Sequence, residues 1–410
     1  MKKFWMLALA AAVACSVSAQ ESVVKEANKA LKGGKTFSEV ETIITPALTD
    51  PSTSGLAETW YIPGKAAFNE FNDLYGKLQL NMLPSNRTTS DMARLLISCY
   101  DYYEKALPID TVFDKKGKPK TKHSKDIVNS LAGLIGDYYN FGGELFNNKD
   151  YKNAMRSWEI YTALAKQPQI VPVLEKSKKM PADSMLANAS FNKALAASNL
   201  EDYPAAVAAF KEAINYGYTK KPLFDHAIIM ARVGKLPEDV LFFAEQALPL
   251  YGDEDPAYLQ EIVNYYLQKK ELDKAFEIIN KAIEAEPDNA QYYVVQGVLY
   301  ENKGDNPSAK DAYEKATRLD SKNAMAQFYY GRMIFDEAVK LGEQAPTRQE
   351  EYEVFFNEKI KPLFEQSATV IEGAYQLDPE NMDALRYLEQ IYYQINDGAK
   401  LEDVKRRMAL

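Results

Sequence analysis

His123 and His226 are the only histidines of the chain and stand far apart in it. A catalytic zinc needs several ligands held at fixed spacing, and neither histidine has a second ligand-type residue where a zinc-protease helix would put one. His226, within "LFDHAIIM", reads as a core or groove residue. His123 falls in a lysine-rich loop. With so few imidazoles a serine or cysteine triad lacks a base, and no Gly-x-Ser-x-Gly elbow occurs. Cys99, inside "RLLISCYDYY", has the surroundings of a small buried hydrophobe. The stretch "GGKT", residues 33–36, invites comparison with a phosphate-binding loop. That loop needs a further glycine five places before Gly34, where Lys29 stands, and a strand ahead of it, where "VKEANKALK" has helical rhythm. Gly33 and Gly34 read instead as a helix-ending turn. No catalytic, cofactor-binding or metal-binding residues are expected, and the chain reads as a non-enzymatic protein.

What remains is a surface, and the composition limits what it can hold. The 410 residues are 46% hydrophobic and 26% charged, a globular balance, with a formal net charge of −9. That excess of acid opposes nucleic-acid binding, because phosphates would be repelled overall. At the front, Lys2 and Lys3 precede an apolar run from Phe4 to Ala14 that is too short to span a bilayer, and Val17-Ser18-Ala19 follows. Residues 1–19 therefore read as a secretory signal of the short bacterial form, cut after Ala19, which implies an exported, periplasmic protein. A competing reading acylates Cys15, which follows Ala12-Val13-Ala14, and anchors the chain peripherally to the outer membrane. No later stretch reaches about 18 consecutive apolar residues, so no transmembrane span is expected. In either case Cys99 has no partner for a disulfide.

The elements that must build the surface are visible in "YVVQGVLYENKGDNPSAKDAYEKATRLD", residues 293–320. Tyr293, Gly297 and Tyr300 share one helix face, as do Ala309, Tyr313 and Ala316. Between them "NKGDNP" predicts a break, with Gly304 left-handed after the first helix, Asn306 capping the second and Pro307 in its first turn. A glycine inside a helix costs about 1 kcal/mol relative to alanine. Close approach of the two helices can offset this if Gly297, Ala309 and Ala316 are holes and the tyrosines are knobs. The pattern recurs with starts at residues 187, 221, 256, 290 and 324, spaced by 34, 35, 34 and 34.

This register resembles the tetratricopeptide repeat family, whose 34-residue helix-turn-helix has small residues at places 8, 20 and 27 and proline near 32. The unit 290–323 matches best, while Ser321 stands where proline is common. The resemblance implies an all-α fold, a right-handed superhelical solenoid of helical hairpins. Its divisions are residues 1–19, the signal; 20–126, divergent repeats; 127–186, a looser repeat with Gly142 and Trp158; 187–381, regular repeats with an insertion near 337–361; and 382–410, a terminal repeat and cap. Within 20–126, Trp60 and Gly64 are spaced like a first helix, and Tyr103 and Ala106 like a second.

In this family first-helix places 2, 5, 9, 12 and 13 line a concave binding face. Carried over, they give Asn188, Phe191, Asn199, Arg232, Gln260, Asn264, Gln268, Gln291, Phe328 and Arg332. Amides, arginines and rings suit an extended peptide. The family's clamp for chaperone tails does not transfer, since Gln260 and Met325 stand where lysines are needed. The expected function is a protein- or peptide-binding scaffold of the bacterial envelope. The alternative is an outer-membrane carbohydrate or nutrient-binding component, for which exposed tryptophan would be the platform; Trp60 and Trp158 both stand at packing places. The basic run "DKKGKPKTKHSK", residues 114–125, reads as a solvated loop or a contact for an acidic surface. Asp110-Thr111-Val112 and Asp183-Ser184-Met185 resemble a short O-glycosylation acceptor pattern of bacterial envelope proteins.

Overall fold

The computed structural model describes residues 21–113, 119–252 and 254–409. The expected signal, with Cys15 and Ala19, and residues 114–118 of the basic run lie outside them. Twenty α-helices follow one another along the described residues. The first five are α1 (21–32), α2 (Phe37–Thr49), α3 (Ala57–Gln79), α4 (Thr89–Ala106) and α5 (Ser124–Asn147). Then come α6 (Tyr151–Leu164), α7 (Val171–Lys176), α8 (Asp183–Asn199), α9 (Tyr203–Asn215) and α10 (Lys221–Val233). They continue as α11 (Pro237–Tyr251), α12 (Ala257–Gln268), α13 (Leu272–Ala285), α14 (Ala290–Lys303) and α15 (Asn306–Leu319). The last are α16 (Ala324–Gly342), α17 (Gln349–Phe355), α18 (Lys361–Leu377), α19 (Met382–Gln394) and α20 (Gly398–Met408). The one β-element among the described residues is an antiparallel pair, Val112–Phe113 with Pro119–Lys120.

The chain divides into two compact units, one ending at Asp239 and the other starting at Val240. Each is a stretch of all-α helical-repeat solenoid. In the first unit α3 packs on α4, α5 on α6 and α8 on α9, with α4 to α6 and α6 to α8 making the lateral contacts. One apolar core runs through them from Ala67 to Ala196. In the second unit α14 packs on α15, α16 on α18 and α19 on α20, and the first helices α14, α16 and α19 lie side by side.

The glycine inside α14 has the reason proposed for it. A Cβ on Gly297 would lie 2.7 Å from Cδ1 and Cζ of Tyr313, which is wholly buried. The same lock joins Gly64 to Tyr103, Gly142 to Trp158 and Gly331 to Ile371. The contact of Gly64 with Tyr103 joins α3 and α4 into a hairpin within the divergent front of the chain. Around residues 337–361 α16 runs on to Gly342, and α17 passes through a π-helical turn, Phe356–Ile360, into α18.

The turns inside the hairpins repeat one backbone solution. Gly304 is left-handed, with φ 80°, as expected. At the equivalent place of other hairpins stand Lys149, Glu201, Lys235, Lys270 and Asn396, all with φ near 60°. In each turn the following backbone N–H reaches back to the last turn of the first helix, as in Asp305 to Tyr300 at 2.9 Å and Asp202 to Ala197 at 3.0 Å. These bonds satisfy carbonyls that a helix end leaves open, which outweighs the strain of a side chain in the left-handed region. One correction follows: Asp305, not Asn306, caps α15, accepting from Ser308 N at 3.2 Å.

Candidate functional site

The residues expected on the binding face belong to two units and are taken unit by unit. In the first, Phe191 of α8 stacks on Tyr218 at 4.8 Å and lies 6.0 Å from Phe210. Asn188 is half-buried on the same helix. Asn199 is exposed at its end, its Nδ2 donating to the Leu195 carbonyl at 2.8 Å. Arg232 is exposed in the last turn of α10.

In the second unit α12 carries Gln260, half-buried, then Asn264 and Gln268, both exposed. Spaced by four, the three follow one face of the helix. Gln291 opens α14, its backbone N–H bound by Asn289 at 3.1 Å. Phe328 of α16 lies 5.7 Å from Tyr329 and 5.8 Å from Tyr387 of α19. Arg332 is held: its Nη2 donates to both carboxylate oxygens of Glu301 at 2.5 and 2.6 Å, and its guanidinium sits 5.2 Å over Tyr329. The same carboxylate accepts the Tyr313 hydroxyl. An arginine that the resemblance offered as a grip for a partner's carboxylate is thus paired with Glu301 of the neighbouring first helix.

Asp336 was missed by the sequence reading, although it stands at place 13 of its unit. It is exposed and, among the described residues, makes no ion pair or side-chain hydrogen bond. Burial of its carboxyl by the surrounding protein still raises its pKa above the ordinary value, against the pull of Arg332.

The first unit holds a second polar cluster. Asp110 is buried, and its Oδ2 accepts from Lys122 N at 3.0 Å, His123 N at 2.7 Å, Ser124 N at 2.6 Å and Ser124 Oγ at 2.7 Å. Burial alone would raise this carboxyl, but the Ser124 hydroxyl and the three N–H groups outweigh it and hold it below its usual range. His123 is only 9% exposed and stacks on Tyr61 with ring centroids 3.9 Å apart. The Tyr61 hydroxyl donates to Asp126 at 2.8 Å, and Lys65 Nζ lies 2.8 Å from the same carboxylate oxygen. The solvated-loop reading holds for Pro119 to Lys122, which are exposed, but not for His123. His226, by contrast, is exposed on α10, which removes the core half of the core-or-groove reading, and its Nδ1 lies 2.7 Å from the Pro222 carbonyl.

Burial, reinforced by Lys122, lowers the His123 pKa, so the folded state favours the neutral ring. The unfolded chain takes up the proton near pH 6.5, so stability is lost as pH falls through that value and is unaffected well above it. Between pH 7.5 and 5.5 the melting temperature of the natural protein should fall further than that of a His123→Gln variant. Parallel curves would show that the ring is not held neutral. Asp137, whose carboxyl burial raises, works in the opposite sense but is common to both proteins.

Cys99 is wholly buried, and burial pushes its thiol up, as befits a packing residue. Trp60 and Trp158 are both engaged in packing: Trp60 Nε1 donates to the Ser54 carbonyl at 2.7 Å under Lys105, and Trp158 fills the space over Gly142. In the two short acceptor patterns Thr111 and Ser184 are exposed. Among the described residues no group of three or more histidine, cysteine or acidic side chains is arranged to hold a metal, and no helix is long and apolar enough to cross a membrane.

The hairpins, their glycine locks and their register define a helical-repeat binding protein. A family model, "Tetratricopeptide repeat", matches residues 187–216, 256–289 and 290–323, so the chain contains tetratricopeptide repeats over those residues. The three matches begin at three of the five starts read from the spacing. Among solved structures, a repeat protein of Bacteroides fragilis is 15% identical over 63% of this chain and 98% of its own, with a TM-score of 0.34. The C-terminal part of a repeat protein from Cytophaga hutchinsonii is 16% identical over 66% of this chain and 93% of its own, at 0.37. YrrB, described as having an unusual peptide-binding site, is 16% identical over 53% and 95%, at 0.30. No curated protein matches the chain.

Proposed function

We propose that this protein is a non-enzymatic scaffold of the bacterial cell envelope that binds a protein or peptide through its first-helix faces. The observation that supports this most is the row on α12. Gln260, Asn264 and Gln268 recur every fourth residue, and none makes a side-chain hydrogen bond among the described residues. Primary amides both donate and accept, so such a row can meet the alternating N–H and C=O groups of an extended chain. Stacked repeats extend a face of this kind over many residues. The envelope location is inferred from the charged start and short apolar run of residues 2–14.

A photo-reactive amino acid placed at Asn264 should give a discrete crosslinked species in the native cell. The same group at Lys281, exposed on α13, should give none. Equal crosslinking at both positions, or none at either, refutes binding through this face.

A further inference from the structure

We draw no further inference here: the strongest candidate, the face of α5 on which Gly133 and Gly136 stand exposed with open space where a Cβ would lie, is a stripe of small residues, and nothing in the structure shows what covers it.

Discussion

Leucine in place of Gly297 is expected to destabilise the second unit by about 3 kcal/mol or more, read as a lowered urea midpoint. The ring of Tyr313 already occupies the position of a Cβ, and this ring is buried against Ala309, Ala316 and Ala326 in one apolar cluster. It cannot swing aside without breaking its hydroxyl contact to Glu301, which in turn holds Arg332. Alanine at Gly297 is a weaker probe. It gains about 1 kcal/mol of helix propensity while adding one methyl group to the clash, so the two effects largely offset. The decisive measurement is the pair of changes together. If the lock is the reason for the glycine, Tyr313→Ala should recover part of the stability lost in Gly297→Leu, because the leucine then fills the space the ring leaves. Simple addition of the two losses would show that Gly297 is retained for some cause other than close approach.

Asp110→Ala is expected to cost about 3–5 kcal/mol, since three backbone N–H groups and a hydroxyl lose a charged acceptor at once. The effect should be local. Amide hydrogen exchange should quicken through residues 110–113 and 119–130, where the carboxylate ties the turn to the start of α5, and should change little in the second unit. Asp110→Asn keeps an acceptor oxygen and should fall between the two. The pH dependence has a definite sign. The folded pKa lies below the unfolded value near 3.9, so this stabilisation is present above that value and is lost as pH falls through the folded one. A natural protein whose stability stays flat relative to Asp110→Ala down to pH 3 would contradict the assignment.

Much of the hairpin architecture was legible because its signals are local. Small residues at fixed spacing, a glycine after a helix and a proline at the start of the next all act within one repeat. The pairs Gly297 with Tyr313 and Gly142 with Trp158 could be read from register alone. The turns were only half legible. Gly304 announces its left-handed backbone, but Lys149, Glu201, Lys235 and Lys270 adopt the same conformation without a compositional mark. Their strain is offset by carbonyl bonds that exist only once the hairpin has closed.

The candidate site was less legible. Phe191 and Phe328 were placed on a face by their repeat positions, yet their rings rest largely on other rings of the protein. Asp336 was passed over because nothing in its neighbourhood marks it.

By itself the sequence determined the helical hairpins, their 34-residue step and the small-against-large contacts within each. Those depend on steric fit between segments that adjoin in the chain. Only the tertiary structure decided which charges are free. Glu301 lies 31 residues before Arg332, and Asp126 lies 61 after Lys65. Coulomb attraction and desolvation depend on distance through space, which is set by how one hairpin settles against the next.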